Sequence, residues 1–431
     1  MSNSIASYGV IMGRQLDNKE RWLAFAGLFI MGFTGAYNLF KCSSCLPVVG
    51  AAFGMDMGTM GFIMSVFNIA GAILAFPGAW LMRKVGAKSS LLVSAILALV
   101  GSLLGYFTDN AGLFLFSRVL EGCGYGMICV LGPNCVPRIF ESKQQGLAMG
   151  IFSEWIPLGS VLSFFVAPML FEAFGWHSLW IFSIVLDIIV IVWLLAFMKE
   201  PEVPENVLAL KQQGGIAQSS SSKGSFVGFA VLSNVAVIGW VVVWVIATNQ
   251  FYPTYLQAVK GWDAIGSSMP LMVASIICLP LGPLFGHLMN KQHASKWWMV
   301  IGFALVAVML AFFAYTGPND TMGPWIYALV LGGIVQSIVP PGLRVYIPTA
   351  AKDPAKIDYS LALMAFLTAF VQLFASFYGT SVEMLGWNDT CYFVLIPITI
   401  ITLVCMILLK SDKKILEAQK IDDGKEPQVN S

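Results

Sequence analysis

Long apolar stretches follow one another from near residue 22 to near residue 410, and this succession restricts the chain more than any other feature. A helix that crosses the hydrocarbon core of a bilayer needs about 20 mostly apolar residues. Twelve such stretches can be marked, six of them at about 22–50, 59–81, 89–107, 111–135, 146–171 and 178–198. The other six fall at about 225–257, 264–289, 297–316, 322–347, 359–384 and 390–410. Composition excludes a water-soluble alternative. Of 431 residues, 58% are hydrophobic and 11% charged, whereas soluble domains carry about 25% charged residues. The expected fold class is an all-α polytopic membrane protein of twelve transmembrane helices in two pseudo-symmetric six-helix bundles.

The bundles are expected at 1–198 and 225–410. Between them, 199–224 is rich in Ser, Gly, Gln and charge and reads as a flexible cytoplasmic linker; 411–431 is a charged cytoplasmic tail. Orientation follows from where Lys and Arg sit, because basic loop residues are retained on the cytoplasmic side. Arg14, Lys19 and Arg21 precede the first span, and Arg83, Lys84 and Lys88 follow the second. Arg138 and Lys143, Lys291 and Lys296, and Arg344, Lys352 and Lys356 continue the alternation, while the opposite loops hold only Lys260. Both termini are therefore expected in the cytoplasm, and the first span is expected to remain uncleaved, its apolar run being too long for a signal peptide. The 24 basic and 23 acidic residues nearly cancel, which points to no nucleic-acid partner.

The eight cysteines mostly lie inside apolar runs, where Cys behaves as a small buried hydrophobe. Cys42 and Cys45 form a C-x-x-C, but no His or second Cys pair at metal-ligand spacing accompanies it, so helix packing is the expected role. No phosphate-binding loop, metal cluster or nucleophile and base constellation stands out. Neither an enzyme nor a cofactor is expected.

Several loop features recur in order. Gly54-Met55-Asp56 matches Gly261-Trp262-Asp263, Lys84 matches Lys291, Phe174-Gly175-Trp176 matches Leu385-Gly386-Trp387, and Arg138 matches Arg344. The chain reads as a duplicated six-helix unit in parallel orientation. Transporters built this way place their substrate near the midplane, between the repeats.

With these residues in view, the chain resembles the major facilitator superfamily of transporters along about its whole length. Gly78 to Lys88, containing Arg83-Lys84-Val-Gly86, is similar to the family's glycine-and-basic motif between its second and third helices, without the usual acidic residue. Arg118-Val-Leu-Glu-Gly122 and Gly146-Leu-Ala-Met-Gly150 also resemble family segments. In general texture the chain looks like the cyanate/nitroimidazole and oxalate/formate permease branches. The resemblance implies a monomeric secondary transporter in the plasma membrane, the inner membrane in a bacterium, working by alternating access.

Charges at bilayer depth cost about 2.5–3.5 kcal/mol each on insertion scales, so each needs a reason. Lys41 lies roughly 13 Å below the outer end of the first helix and Arg118 about 10 Å below that of the fourth, at similar depth. Paired cations suit an anionic solute. Glu121 follows Arg118 by three positions and offers either a neutralising partner or a proton carrier, and Glu154 in the fifth span is a second proton-coupling candidate. Asp187, central in the sixth span, is expected at a packing or lipid-edge position. Tyr37 and Asn38 complete a polar patch on the first helix. Asn249, Gln250, Tyr252, Gln336 and Gln372 supply the polar groups of the second half, for substrate contact or for holding helices together. The expected function is transport of a small organic or inorganic anion, coupled to protons or to exchange. The alternatives are a proton-driven exporter of amphipathic compounds and a non-transporting membrane sensor.

Overall fold

In hydrocarbon a backbone must satisfy its own hydrogen bonds, and a helix does so within one segment. The computed structural model describes residues 17–140, 142–199, 223–351, 360, 363, 364 and 366–423, and among these the chain is helical between short turns. Two compact units divide it, Met1–Gln218 and Ser219–Ser431. Most of the expected linker lies outside the described residues.

The first unit runs α1 (Asn18–Phe40), α2 (Leu46–Ala52), α3 (Met57–Val85), α4 (Ala87–Phe107), α5 (Ala111–Ile139), α6 (Ser142–Ser153), α7 (Trp155–Phe174) and α8 (Ser178–Phe197). In the second, α9 (Lys223–Trp240) continues as a π-helix over Val241–Gln250 and is followed by α10 (Tyr252–Lys260), α11 (Ala264–Gln292) and α12 (Ser295–Phe312). Next, α13 (Met322–Ala328) runs through a π-helical stretch, Leu329–Val335, into α14 (Gln336–Ala351). The unit ends with α15 (Phe374–Leu385), α16 (Trp387–Thr390), a π-helical Cys391–Leu395, α17 (Ile396–Leu408) and α18 (Asp412–Asp423). Among the described residues, 11 helices are long and apolar enough to cross a membrane. The expected span at 359–384 lies partly outside the described residues, and its remainder is helical.

Two expected spans are broken where continuous helices were anticipated. The first stops at Phe40, turns through Lys41–Cys45 and resumes at Leu46, with Pro47 in the first turn of α2. Proline has no N–H to donate back, so the ladder opens before it. The hydroxyl of Ser44 (3.4 Å) and the thiol of Cys45 (3.8 Å) donate to the freed carbonyl of Lys41. Cys42 and Cys45 are both free thiols, buried at this break. The fifth span breaks at Glu154, which stands between α6 and α7 three residues before Pro157.

The repeat recurs in backbone conformation. Gly54 and Gly261 are left-handed, with φ of 61° and 67°, and the Asp two residues on caps the next helix in both units. Asp56 accepts from the Thr59 N–H and Asp263 from the Gly266 N–H, each at 2.7 Å. The Thr59 N–H holds the Asp56 carboxyl below its ordinary range. Gly175 and Gly386 also match, at φ of 78° and 84°. The register that aligns Lys84 with Lys291 aligns Gly86 (φ 91°) with His293 (φ 49°), the one non-glycine residue with positive φ among the described residues.

Small residues bring the helices of the first unit together, since hydrocarbon supplies no hydrophobic drive between them. A Cβ on Gly126 of α5 would lie 1.9 Å from the Gly71 carbonyl oxygen of α3, and one on Gly122 2.0 Å from that of Phe67. Gly126→Ala should therefore destabilise the protein by about 1–3 kcal/mol, the usual range for overpacking. Gly150→Ala, inside α6 where an added methyl meets nothing within 4 Å, should cost nothing and raise stability by up to about 1 kcal/mol through helix propensity. Thermal unfolding of the two detergent-purified variants checks the contrast.

Candidate functional site

Helical spacing puts polar side chains from four helices at one point in the first unit. Asn38, near the end of α1, and Lys41, just beyond it, are three apart; so are Arg118 and Glu121 on α5; Ser183 and Asp187 on α8 are four apart, and Ser102 comes from α4. Residues at these intervals share a helix face. Gly101 lets α4 approach: a Cβ there would lie 2.7 Å from the backbone nitrogen of Glu121 and 2.8 Å from its Cγ. Lys41 and Arg118 are fully buried, Glu121 is 1% exposed and Asp187 2%.

Glu121 is the common partner. Its Oε1 accepts from Lys41 Nζ at 2.7 Å and from Ser102 Oγ at 3.0 Å, and its Oε2 accepts from Arg118 Nη1. An ammonium has three donors, and all three of Lys41 are taken: besides Glu121 they reach Asn38 Oδ1 at 3.0 Å and Ser183 Oγ at 2.8 Å. Its charge also lies 4.5 Å from the centre of the Trp180 ring. Arg118 differs. Its guanidinium sits 4.5 Å from the centre of the Phe67 ring, and its Nε and Nη2 have no hydrogen-bond partner. Asp187 Oδ2 meets Ser102 Oγ at 3.0 Å.

The structure thus brings Asn38, Lys41, Arg118 and Glu121 together, and it shows the ion pairing that competed with an open cation pair. Of the two positions expected for Asp187, the structure shows the packed one: it is buried and bonded within the cluster, not at a lipid edge. Tyr37 lies beside it, donating to the Leu179 carbonyl at 3.3 Å. Glu154 stands apart, half-buried at the break before α7. Ser102 and Ser183 were not singled out in the sequence, where a serine in a span carries no signal of its own. Only the four-residue interval from Ser183 to Asp187 hinted at a shared face.

The second unit holds amides and phenols in place of charge. Gln250 Nε2 donates to Gln372 Oε1 at 3.1 Å, Asn249 Nδ2 to the Trp244 carbonyl at 2.9 Å and Tyr252 OH to the Ala314 carbonyl at 2.8 Å. The Oε1 atoms of Gln250 and Gln336 have no hydrogen-bond partner. Around Tyr252 gather Tyr255, Tyr315 and Tyr327, with ring centres 5.5, 6.1 and 4.6 Å away. Tyr315 and Tyr378 share a 2.6 Å hydrogen bond. This tyrosine group was not anticipated beyond Tyr252: Tyr255 is its neighbour on α10, but Tyr315, Tyr327 and Tyr378 come from other spans.

Repeated helical units with ionisable groups buried inside one of them describe a membrane carrier. The chain belongs to the Major Facilitator Superfamily, whose model matches residues 23–357. It is a transporter, not an enzyme. A probable nitrate transporter of Staphylococcus epidermidis, NarT, is 23% identical over 86% of this chain and 92% of its own. A probable galactarate/D-glucarate transporter of Bacillus subtilis, GudP, is 25% identical over 72% and 74%. The riboflavin transporter RibZ of Clostridioides difficile is 20% identical over 82% and 89%. Among solved structures, a D-xylose-proton symporter superposes with a TM-score of 0.76 at 15% identity, covering 91% of this chain and 99% of that one.

Breaking a buried ion pair by removing one partner costs about 3–5 kcal/mol, mostly from the charge left behind. Glu121→Gln strands two cations, whereas Lys41→Met leaves Arg118 paired. Thermal unfolding should therefore show Glu121→Gln to be much the less stable of the two. Equal losses would mean that Glu121 does not balance both cations.

Proposed function

We propose that the protein carries a small anion, a carboxylate or an oxyanion of similar size, and that Arg118 is its principal contact. The observation behind this is the pair of unpartnered donors, Nε and Nη2, on a fully buried guanidinium. A guanidinium has five donors in a rigid fork and no acceptor. Leaving a buried polar group unbonded costs about 1–3 kcal/mol, and more when it is charged. Vacant donors on such a group suit an acceptor that comes and goes. A planar carboxylate or nitrate matches the fork in both shape and charge.

Lys41 takes a different part. Its three donors are occupied, so it holds Glu121 in place and adds positive potential. It meets substrate only if Glu121 gives way. The relatives named for nitrate and for glucarate or galactarate, all anions, favour an anionic cargo over a neutral one. Asn38 and Tyr37 in the first unit, and Asn249, Gln250, Tyr252, Gln336 and Gln372 in the second, are proposed as further substrate contacts. Glu154, at a helix break, is proposed as a second ionisable group that responds to transport. Alternating access between two repeats is the working cycle that we infer. The basic loops favour a plasma-membrane orientation with both termini in the cytoplasm.

Uptake of labelled nitrate and glucarate into proteoliposomes tests the proposal. Each hydrogen bond to a charged group contributes about 1.5–3 kcal/mol, so Arg118→Gln should slow uptake by about tenfold to a hundredfold. Arg118→Lys keeps the charge and loses the fork, and should also be slow. Parent-like rates in both variants would move the anion site elsewhere. Transport of hydrophobic cations in place of either anion would favour an exporter of amphipathic compounds.

A further inference from the structure

A vacant donor serves a cargo only while it points one way. Nε and Nη2 of Arg118 form one edge of the guanidinium, the edge that can give two parallel N–H bonds to a flat anion. Nη1 is bonded to Glu121. That bond fixes one atom and leaves the plane of the group free to turn about it. A long side chain rich in rotamers needs a second contact to hold its plane.

Glycines in the α3–α5 contact put an aromatic ring in that place. A Cβ on Gly122 would lie 2.0 Å from the Phe67 carbonyl oxygen and 2.8 Å from its Cα. Four residues further along both helices, a Cβ on Gly126 would lie 1.9 Å from the Gly71 carbonyl oxygen. A step of four on α3 thus matches a step of four on α5, so the two helices run in the same direction. A helical side chain leans toward the N-terminus and covers the turn before its own Cα. With its backbone against Gly122, Phe67 therefore covers the preceding turn of α5, and the residue four before Gly122 is Arg118.

The contacts agree with this register. The guanidinium carbon lies 4.5 Å from the centre of the Phe67 ring. A cation is drawn to the face of a ring, and more strongly where water is excluded. Phe67 and Arg118 are both fully buried. Tyr125, seven residues after Arg118 on α5, packs on Phe67 as well, with ring centres 5.2 Å apart. Lys41 makes the contrast: Trp180 lies 4.5 Å away, but three hydrogen bonds already fix the ammonium.

We propose, resting on the anion reading above, that Phe67 is the positioning residue of the anion site. Its ring and the Glu121 bond together set the guanidinium plane, and they keep the edge made by Nε and Nη2 turned to the cargo. Without the ring, Arg118 keeps its charge and its bond to Glu121, but the edge faces the cargo for only part of the time. Apparent affinity falls by that fraction.

Anion titrations of the purified full chain, read by thermal shift, test the proposal. Phe67→Met keeps most of the buried volume, since methionine fills irregular gaps, but has no ring face. It should unfold close to the parent when ligand-free and bind nitrate and glucarate about fivefold to thirtyfold more weakly, the loss of one desolvated cation–ring contact. Phe67→Leu should show the same loss of affinity with lower stability. In an Arg118→Lys background, Phe67→Met should change either affinity by less than about threefold, because an ammonium has no edge to aim. A side chain that only packs would be replaced by methionine without loss of binding. Parent-like affinity in Phe67→Met, or an equal loss in the Arg118→Lys background, overturns the positioning role and leaves the anion reading standing. If neither anion binds the parent, the anion reading fails and the positioning role fails with it.

Discussion

One carboxylate, Glu121, holds two buried cations at once, and the arrangement of the first unit depends on it. A charge taken out of water is tolerated only when paired and hydrogen-bonded. Lys41 and Arg118 are both fully buried, and both find that pairing at Glu121. Neighbouring features make the contact possible. The break after Phe40 places Lys41 at a turn, Gly101 admits α4 to the flank of Glu121, and Ser183 and Asn38 use the remaining ammonium donors. Replacing such a cluster with apolar side chains is often neutral or stabilising. Its presence is therefore poorly explained by stability alone, and the spare donors on Arg118 point to function.

The two units share a backbone plan and differ in chemistry. Their turns match in left-handed glycines and capping aspartates, at Gly54 with Asp56 and at Gly261 with Asp263. The register that pairs Lys84 with Lys291 pairs Lys41 with Thr248, and the one that pairs Arg138 with Arg344 pairs Glu121 with Tyr327. Thr248 Oγ1 and Tyr327 OH are themselves in contact, at 2.8 Å. An ion pair in the first unit thus has a neutral hydrogen bond as its counterpart in the second. Duplication kept the contact between helices while the groups that make it diverged.

This explains what could be read from sequence. Span positions, the repeat and the family were legible because they rest on patterns along the chain: apolar length, basic loops, and glycines that take positive φ. The interval from Arg118 to Glu121 was also local, so their pairing was foreseeable. Which helix would supply the third and fourth members was not. Ser102 and Asp187 meet Glu121 only because α4 and α8 pack beside α5, and apolar patterning on membrane helices says little about which face meets which neighbour. The breaks at Lys41 and Glu154 were hidden for a related reason. Hydropathy averages across them, while Pro47 and Pro157 were visible but compatible with a continuous bent helix.

Among the described residues, the second unit contributes a property that the first lacks. Three stretches of it are π-helical, Val241–Gln250, Leu329–Val335 and Cys391–Leu395. Such stretches are uncommon and recur at functional sites. Their wider register is visible in the side chains: Thr248 donates to Val243 and Asn249 to Trp244, each five residues back. Gln250 ends the first stretch and Gln336 follows the second, so the polar residues expected to touch substrate sit where the helix is already one step out of register. A return to α-helical pairing would rotate those amides about the helix axis with few new backbone bonds to make. In the first unit, by contrast, the hydrogen bonds of Lys41 and Glu121 fix their geometry. A carrier needs a group that senses occupancy and a segment that can repack in response. Among the described residues, the two units thus differ in kind: a buried carboxylate bonded to two buried cations stands in the first, and the π-helical stretches stand in the second.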